Sequence, residues 1–533
     1  MHRDNIHHGK LPIRRILRPF SGQSHDEKWV AIHFDSQSGW LDGEPVKQFE
    51  GSMSSKTDIP LVVDLDGTLT PTDTLIESLI KLIKLSPLNF VWIALWLLKG
   101  KALFKEAVAG KVRIASEHLP YRQSLLNYLS EQKSGGRKIV LATAAHRSIA
   151  LAVSEHLGLF DAVLATENSI NLKGSAKLSA IQAHVGDRFV YAGDSAADLP
   201  IWRAAESAIL VSVSPSLAKN VRKIVAIEQE FPADTGGITV WLRALRVHQW
   251  SKNLLLFVPL LTAFSFFDIS KLSAVAVGFL SFSFAASATY IVNDLLDLDN
   301  DRSHPRKRLR PFASASIPIS QGLCAAAVAL TLSLAMALYV SAAFAQLLLL
   351  YLIITSAYSW ILKEYVIIDV IVLSLLYTLR ILAGSVGSGI PTSSWLLAFS
   401  VFIFLSLALV KRCAELIALE EMGKDATQGR DYRVTDLSVI WPLGVGAALC
   451  SVVIFGLFIS DAATRARYAT PDLLWLVAIG LIYWLTRLLI KTSRGEMYDD
   501  PIVYAVKDFG SRITVIGLIT LMLTAHFMVI EST

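Results

Sequence analysis

This chain has 533 residues, which is too many for one compact domain. Of these residues 53% are hydrophobic and only 18% are charged, which is typical of a polytopic membrane protein and excludes an ordinary soluble enzyme and a disordered chain. The net charge of +5 is modest for this length and gives no support for nucleic-acid binding. The cysteines lie singly in apolar stretches, so the sequence predicts neither disulfides nor a structural zinc site.

The N-terminal residues 1–57 show no periodicity of apolar side chains. We expect them to form a disordered leader or to represent an over-extended start, with Met53 as a second candidate start. They contain no apolar run of signal-peptide length, so this end of the chain is expected to remain on the cytoplasmic side of the membrane.

Residues 58–235 alternate short β-branched runs with helical stretches, which predicts a parallel α/β domain. The predicted strands are Leu61–Val63, Lys138–Leu141, Phe189–Tyr191 and Ala208–Val211. The apolar stretch 88–98 is too short to cross a bilayer. We predict that it packs as a helix inside this domain, and a helix on the membrane surface is the alternative.

Two carboxylates follow the first predicted strand. Asp64 and Asp66 share a face because side chains two positions apart on a strand point the same way. This spacing allows Asp64 to attack phosphorus while Asp66 handles the proton of the leaving oxygen. With Asp194 and Asp198, which follow a later strand, they are the predicted ligands of Mg²⁺.

Two further polar residues follow later elements of the same domain. Thr143 comes after a strand and Lys177 lies on a helical stretch, and we expect both to hold the transferred phosphoryl group. Lys173 competes with Lys177 for that role, and we prefer Lys177.

The run DLDGT from Asp64, Thr143, Lys177 and the run GDSAAD from Gly193 together resemble the four motifs of the haloacid dehalogenase superfamily, in its phosphoserine-phosphatase-like branch. The resemblance covers residues 58–225. It implies a Rossmann-like α/β fold, an aspartyl-phosphate formed on Asp64 and a helical cap at about 72–125.

Long apolar runs with few charges begin near Val240, so residues 238–533 are predicted to form an all-α membrane domain. Nine spans are predicted, at 254–268, 272–292, 322–340, 343–362, 366–386, 395–410, 438–459, 473–490 and 513–530. Within this domain, most Lys and Arg residues lie in the loops that follow even-numbered spans. The positive-inside rule therefore predicts that these loops and the N-terminal domain are cytoplasmic, in a bacterial-type inner membrane.

The second predicted span runs into an acidic helix end. Asn293, Asp297 and Asp301 are spaced four apart and Asp294 falls beside them on the same face, whereas Asp299 points roughly the other way. Stacked acids at the end of a membrane helix repel one another unless divalent cations neutralise them. Mg²⁺ that bridges these residues to a diphosphate is therefore predicted, with Asp294 and Asp297 at the reaction centre.

The NDxxDxxxD pattern that begins at Asn293 resembles the first aspartate motif of the UbiA superfamily of intramembrane prenyltransferases, which have nine transmembrane helices. The basic run DRSHPRKRLRP at 301–311 is similar to that of the decaprenyl-phosphate phosphoribosyltransferase branch. That resemblance implies phosphoribosyl diphosphate as donor and a polyprenyl phosphate as acceptor. The residues predicted to bind substrate or phosphate in this domain are Gln249, Lys252, Asn253, Lys307, Arg308, Tyr358, Lys363, Arg380, Lys411, Arg412, Asp500 and Asp508.

Together the two resemblances predict a bifunctional membrane enzyme that uses Mg²⁺ in both domains. The membrane domain would transfer 5-phosphoribose to a polyprenyl phosphate, and the fused phosphatase would remove the 5-phosphate of the product. One alternative is a conventional transfer of a prenyl group from its lipid diphosphate to an aromatic acceptor. Another is a membrane-anchored protein that only binds phosphorylated ligands. The predicted partners are the bilayer, its lipids and the sugar diphosphate, without nucleic acid, and a homo-oligomer is compatible with the sequence.

Overall fold

A six-stranded parallel sheet forms the core of the N-terminal half in the computed structural model, which describes residues 58–86, 88–98, 100–167, 171–233, 236–425, 430–497 and 501–528. The strands are β1 (Leu61–Val63), β2 (Ile139–His146), β3 (Ala162–Thr166), β4 (Val190–Gly193), β5 (Ser207–Val211) and β6 (Ala226–Phe231). Their order is β3-β2-β1-β4-β5-β6, and each neighbouring pair is parallel. The predicted leader at 1–57 lies outside the described residues.

The central strand β1 positions the first predicted site. Leu61 and Val63 pack into one apolar cluster and Val62 into another on the opposite face of the sheet. The chain builds outward from β1 in both directions, which opens a crevice at the carboxyl end of the strand. Open α/β sheets bind their ligands in such a crevice.

The outer strands β3 and β6 are absent from the sequence prediction. Both lie at an edge of the sheet, where burial is weaker and the apolar pattern is correspondingly faint. In β6, the sequence AIEQEF carries three polar side chains among six residues. The sequence signal for a strand therefore fails here because an edge strand does not need to be apolar.

Eight helices surround and follow the sheet. They are α1 (Thr74–Leu85), α2 (Asn89–Leu98), α3 (Lys101–Ala109), α4 (Gln123–Ser134), α5 (Arg147–Leu157), α6 (Ser175–Val185), α7 (Leu199–Ala204) and α8 (Pro215–Val221). The first three lie between β1 and β2, in the segment predicted as a helical cap. Asp73 begins α1 by accepting hydrogen bonds from the N–H groups of Leu75 and Ile76.

The prediction that the apolar stretch 88–98 packs inside this domain is wrong. It forms α2, in which no residue is buried. Only Ile93 and Trp96 pack partly against the small cap cluster, while Phe90 is 67% and Leu98 85% exposed. The cap is too small to cover a helix that is apolar on every side.

The second half of the chain is helical. Its helices are α9 (Ile238–Ala244), α10 (Val258–Thr262), α11 (Ile269–Leu296), α12 (Leu298–Ser303), α13 (Ile319–Val340), α14 (Ala342–Trp360), α15 (Ile368–Ser388), α16 (Ser394–Glu421), α17 (Leu437–Ser460), α18 (Ala462–Arg465), α19 (Leu474–Ser493), α20 (Pro501–Lys507) and α21 (Phe509–Phe527). Among the described residues, eight helices are long and apolar enough to span a membrane: α11, α13 to α17, α19 and α21. The protein is an integral membrane protein.

The first of the nine predicted spans, 254–268, is not among these eight helices. It consists of an 11-residue 3-10 helix, Val247–Phe257, followed by the five-residue α10. This segment runs antiparallel to α11, because Trp250 donates to Ser287 Oγ at 3.0 Å and Phe257 lies against Phe279. A 3-10 helix rises about 2.0 Å per residue against 1.5 Å for an α-helix, so it covers the same distance with fewer residues.

The 3-10 segment fits into the bundle because α15 offers a glycine beneath it. A Cβ on Gly384 would lie 2.0 Å from the backbone oxygen of Leu256. We expect Gly384→Ala to lower the free energy of unfolding by about 3 kcal/mol, since backbone cannot move away as a side chain can. Thermal unfolding in detergent measures this change. Gly446→Ala on α17 is the matched control, because a Cβ there meets nothing within 4 Å. Equal melting temperatures for the two variants would contradict the close approach.

Candidate active sites

Three acidic residues meet at the carboxyl edge of the sheet. Asp64 directly follows β1, Asp194 follows β4, and Asp198 ends the short 3-10 helix Ala196–Asp198. One carboxylate oxygen of each lies within 4.8 Å of the corresponding oxygens of the other two. Three carboxylates at this separation are an oxygen-ligand set suited to a divalent cation.

A glycine allows this approach. Gly67 has a φ of +79°, and a Cβ on it would lie 2.2 Å from Asp194 Oδ2. Only glycine accepts both the left-handed backbone and the contact without strain. The DLDGT run therefore folds tightly against the loop that follows β4.

Lys177 on α6 carries a positive charge into the cluster. Its Nζ lies 2.8 Å from Asp64 Oδ2 and donates to Tyr191 OH at 3.1 Å. Tyr191 OH in turn donates to Asp198 Oδ1 at 2.9 Å. Burial opposes the charge of Lys177, but the negative charges of Asp64 and Asp198 outweigh it and raise the pKa of the amine. Lys173, the alternative to Lys177 in the sequence, lines the cavity above these acids.

The charge of one lysine does not neutralise these three carboxylates, of which Asp64 and Asp198 are buried and Asp194 is half-buried. Burial, followed by the negative charges of Asp198 and Asp64, raises the pKa of Asp194 to about 7. Bringing a divalent cation into the cluster would relieve this repulsion. The donor set therefore fits Mg²⁺ at Asp64, Asp194 and Asp198.

Asp66 lies next to the cluster and turns toward α1. Its Oδ1 accepts a hydrogen bond from the Thr74 N–H at 2.9 Å, so its side chain is outside the group of three acids. Burial, with a smaller contribution from Asp73, raises the pKa of Asp66 to about 7. A carboxyl group with this pKa both gives and takes a proton near neutral pH, which suits general acid and base work better than metal ligation.

The predicted phosphate-binding residue Thr143 is buried in β2, and its Oγ1 accepts from the Ala145 N–H at 3.0 Å. It does not line the cavity of about 470 Å³ above the acidic cluster. Lys105 of the cap does line it, and the sequence offered no signal for this residue. Its Nζ donates to Ala144 O at 2.6 Å and to Asn171 Oδ1 at 2.8 Å, and burial lowers its pKa.

A second opening connects the same acids with the helical half of the chain. Asp66 and Asp194 line a cleft of about 190 Å³ together with Pro318, Ile319 and Ser320 at the start of α13. The phosphatase-like site is therefore bordered by the cap on one side and by the membrane domain on the other.

The acidic end of α11 opens into a polar chamber of about 300 Å³ between the membrane helices. Seven of the predicted site residues line it: Lys252, Asn293, Asp294, Asp297, Lys307, Tyr358 and Arg380. These residues come from five separate elements of the chain: the 3-10 segment, the end of α11, the basic run at 301–311, α14 and α15.

The acids at this end are paired with cations. Asp294 Oδ1 lies 2.5 Å from Arg246 Nη2 and 3.1 Å from Arg310 Nη1. The same Arg310 nitrogen lies 2.7 Å from Asp301 Oδ2. Asp297, at the break between α11 and α12, accepts from Lys84 Nζ of α1 at 2.7 Å. Anions and cations thus alternate at the chamber, which suits a ligand that carries both phosphates and Mg²⁺.

Arg246 was missed in the sequence. It belongs to none of the motifs described above. It has a left-handed φ of +49°, and its side chain reaches Asp294 of α11. Its guanidinium also lies over the ring of Tyr290, 4.7 Å from the centroid. Arg310 belongs to the basic run at 301–311 but was not singled out there.

Arg380 is held deep in the chamber by several partners. It donates to Asn253 Oδ1 at 2.9 Å, to Leu376 O at 2.6 Å and to Tyr351 OH at 3.1 Å. Its guanidinium also lies near the rings of Tyr351 and Tyr377. The predicted ligand Asn253 therefore positions Arg380, because it is buried and outside the chamber lining.

The remaining predicted residues of this domain that the structure describes do not line the chamber. Arg412 is buried against Asp369, with Nε to Oδ2 at 2.7 Å, and against Glu415. Asp508 pairs with Arg487 at 2.5 Å and caps α21. Both side chains are therefore held in ion pairs, although Arg412 Nη2 is buried without a hydrogen-bond partner among the described residues. Gln249, Arg308, Lys363 and Lys411 do not line the chamber, and Asp500 lies outside the described residues.

An apolar groove of about 590 Å³ lies beside the chamber, between the 3-10 segment, α15, α16 and α21. Its walls include Ile381, Phe404 and Trp484. Two cations line it, Lys252 and Arg512, and Lys252 also lines the polar chamber. Lys252 thus stands where the polar and apolar spaces meet.

The two halves of the chain are joined by a buried ion pair. Arg302, in the basic run after α11, donates to both oxygens of Glu77 on α1, at 2.6 and 2.9 Å. Both side chains are 5% exposed. Ile76 and Ile80 of α1 pack around this contact against α11.

We expect Glu77→Ala to lower the free energy of unfolding by about 3–5 kcal/mol, since it leaves a buried guanidinium without its partner. Replacing both residues, as Glu77→Leu with Arg302→Met, is expected to recover most of the loss. Thermal unfolding in detergent measures both, with Glu117→Ala at an exposed site as control. A Glu77→Ala protein as stable as the control would show that the pair does not join the halves.

Comparisons with known proteins match a different family in each half of the chain. Residues 61–203 match the haloacid dehalogenase-like hydrolase family and residues 254–501 match the UbiA prenyltransferase family. The chain belongs to the UbiA prenyltransferase family and carries a haloacid dehalogenase-like domain on its N-terminal side. It is accordingly a membrane-bound enzyme with a transferase domain and a hydrolase-type domain, and not a protein that only binds ligands.

The chain is similar to several individual proteins over one or both of these domains. The uncharacterized protein y4nM of Sinorhizobium fredii is 39% identical over 457 residues, which cover 84% of this chain and 88% of that one. A match of this length must include parts of both domains. The decaprenyl-phosphate phosphoribosyltransferase of Mycobacterium tuberculosis is 34% identical over 245 residues, 45% of this chain and 80% of that one. A UbiA homolog from Archaeoglobus fulgidus bound to GPP and Mg²⁺ covers 54% of this chain and all of its own, with a TM-score of 0.42 and 18% identity.

Proposed function

We propose that the membrane domain transfers 5-phosphoribose from phosphoribosyl diphosphate to a polyprenyl phosphate, and that the N-terminal domain then removes the 5-phosphate. The observation that carries the first step is the junction at Lys252. A polar chamber rich in arginine and lysine meets an apolar groove there, so two ligands of opposite character have their phosphates within reach of one cation.

The sugar diphosphate fits the chamber. Asn293, Asp294 and Asp297 would hold Mg²⁺ against the diphosphate, where the cation would offset the charge of the leaving group. Lys307 and Arg380 line the same space and supply positive charge for the phosphate oxygens. A ligand with three phosphate groups needs this density of cations.

The lipid fits the groove. Its prenyl chain would lie among Ile381, Phe404 and Trp484, with the phosphate at Lys252 and Arg512. An oxygen of the polyprenyl phosphate attacks the anomeric carbon of the ribose, and the bond from that carbon to the diphosphate breaks. The two ligands held on either side of Lys252 are thereby oriented for transfer.

One relative supports the transfer of phosphoribose to a polyprenyl phosphate. The M. tuberculosis protein that matches the membrane domain is a decaprenyl-phosphate phosphoribosyltransferase, and the match covers 80% of its length. The second candidate is transfer of a prenyl group from its diphosphate to an aromatic acceptor, which the acidic helix end of this family would serve equally. The two reactions differ in whether the diphosphate donor is water-soluble or a lipid.

A side-by-side assay separates the two. Detergent-purified protein is given either radiolabelled phosphoribosyl diphosphate with polyprenyl phosphate, or a radiolabelled prenyl diphosphate with 4-hydroxybenzoate. We expect label from the sugar donor in the organic extract, and none in prenylated aromatic product. The reverse result would replace the phosphoribosyl reaction by aromatic prenylation.

The second step follows from the chemistry of the first product, which keeps a phosphate monoester on its ribose. Asp64 attacks this phosphorus, the bond from phosphorus to the ribose oxygen breaks, and Asp66 protonates that oxygen. Asp66 then takes a proton from the water that hydrolyses the aspartyl-phosphate. Mg²⁺ at Asp64, Asp194 and Asp198 would shield the charges of the incoming phosphate.

The cleft shared by Asp66, Asp194 and the start of α13 supports this pairing of activities. It opens the phosphatase-like site toward the domain in which its substrate would be made. Because α1 contacts the acidic end of α11, both sites lie on the same side of the membrane domain. The positive-inside pattern favours the cytoplasm for that side, and a bacterial-type inner membrane remains our proposal.

A further inference from the structure

The apolar helix α2 is exposed over most of its surface, because only Ile93 and Trp96 pack partly against the cap. Its sequence, NFVWIALWLL, contains no charged residue. Phe90, Val91, Trp92 and Leu95 are 45% to 67% exposed. A contiguous apolar surface of this kind on a water-facing domain marks a site of contact with protein or membrane.

The position of α2 relative to the membrane domain identifies its partner. The preceding helix α1 packs through Ile76 and Ile80 against Ala288 and Ile291 of α11, which is a membrane-spanning helix. Near its C-terminal end, Lys84 contacts Asp297 at the end of α11. Only residues 86–88 separate the end of α1 from the start of α2. The exposed helix therefore follows directly on a contact that lies at the edge of the membrane domain.

We propose that α2 inserts into the surface of the bilayer that holds this chain, and that it guides a lipid-linked phosphate from the membrane into the phosphatase site. The first half of this proposal needs only the position and composition of α2. The second half rests on the proposed function of the N-terminal domain.

The cavity above Asp64 connects the two halves of the proposal. Leu97 of α2 lines that cavity and is also 52% exposed. Phe104 and Val108 of α3 continue the same wall, and Lys105 between them supplies a cation. One wall of the phosphatase cavity is thus apolar and leads out along α2, while its floor carries the acids and Lys177. A phosphate attached to a long apolar chain matches this division, whereas a small polar phosphate ester does not use the wall.

A spin-label measurement tests the insertion. The label is placed by Val91→Cys in the full chain with Cys324→Ser and Cys450→Ser, since Cys413 is buried. The protein is reconstituted in phosphatidylglycerol and phosphatidylethanolamine nanodiscs. Leu151→Cys on α5 is the control, since its exposure of 44% is similar to the 59% of Val91. We expect oxygen, which concentrates in lipid, to relax the label at Val91, and a water-soluble nickel complex to relax the label at Leu151. Equal relaxation by the nickel complex at both positions would overturn the insertion.

An activity measurement tests the guidance. The combined variant Phe90→Ser, Trp92→Ser and Leu95→Ser leaves the cavity residues in place, and Leu151→Ser is its control. We expect hydrolysis of a polyprenylphosphoryl-phosphoribose in bilayers to fall at least about tenfold, and hydrolysis of p-nitrophenyl phosphate to stay within about twofold. Unchanged hydrolysis of the lipid, or an equal fall for both substrates, would overturn the guidance.

The two measurements also separate this inference from the proposed function. If the label at Val91 lies in lipid but the wild-type protein does not hydrolyse the lipid phosphate, the insertion stands and the phosphatase substrate is wrong. If the wild type hydrolyses it and the label lies in water, the substrate stands and the insertion is wrong.

Discussion

Replacing Asp64 with Asn is expected to lower phosphate release by at least about 10³-fold, because the variant keeps the shape of the side chain and loses the nucleophile. The loss is large since Lys177 and the acids Asp194 and Asp198 are arranged around this one oxygen pair. Phosphoribosyl transfer in the other domain is expected to continue. The variant should therefore accumulate a lipid product that still carries its 5-phosphate, which thin-layer chromatography of the labelled lipid detects.

The control for this variant is Asp187→Asn, at an exposed position on the same domain. It should release phosphate at the wild-type rate. An Asp64→Asn protein that still releases phosphate at the rate of this control would show that Asp64 is not the nucleophile.

Replacing Asp294 with Asn is expected to lower transfer by about 10²–10³-fold, since it removes a charge from the proposed Mg²⁺-diphosphate site. Asp294 is also the residue that holds Arg246 and Arg310 together, so the variant should bind the sugar diphosphate more weakly as well. Initial rates of lipid labelling as a function of donor and Mg²⁺ concentration measure both effects. Hydrolysis of p-nitrophenyl phosphate should not change.

Asp299→Asn is the matched control, since Asp299 lies on the same acidic run but turns away from the chamber and pairs with Lys81 at 2.6 Å. Its transfer rate is expected to stay within about threefold of the wild type, in line with the small contribution of an exposed ion pair. If both variants lose transfer equally, the acidic run acts through its total charge and not through a site on one face.

The parts of the fold that the sequence predicts are those with a strong local pattern. The buried strand β1 is followed by DLDGT, and its carboxylates could only lie at the carboxyl edge of the sheet. Of the four residues whose spacing predicts one helix face, Asn293, Asp294 and Asp297 line the chamber. Asp301 does not line it, because the helix is interrupted at Asp297 and Asp301 lies on α12. In both cases a few residues close in sequence fix the geometry.

The parts that it does not predict depend on contacts between distant segments. The 3-10 segment Val247–Phe257 packs closely against Gly384, which lies more than 100 residues further along the chain. Arg246 and Lys105 enter their sites through backbone turns and cap packing, and no spacing marks them. Arg412 has the expected charge, but it forms a buried ion pair with Asp369, and only the tertiary structure reveals this pair.

The sequence of α2 likewise does not predict whether the helix is buried or exposed. The stretch is as apolar as a core helix, and its exposure follows from the small size of the cap beside it. Glu77 shows the opposite case, since an acidic residue on a cap helix is fully buried through a partner in the other domain. Local composition predicts neither the exposure of α2 nor the burial of Glu77, because each depends on which segments of the chain pack against that residue or helix.

A double-label experiment tests the central claim, that one chain first transfers phosphoribose to a lipid and then removes its phosphate. Wild-type protein is given polyprenyl phosphate and phosphoribosyl diphosphate that carries ¹⁴C in the ribose and ³²P in the 5-phosphate. We predict that ¹⁴C enters the lipid fraction while ³²P appears as inorganic phosphate, so that the ratio of ³²P to ¹⁴C in the lipid falls with time. A lipid fraction that keeps both labels in constant ratio would contradict the second step, and one that gains neither label would contradict the first.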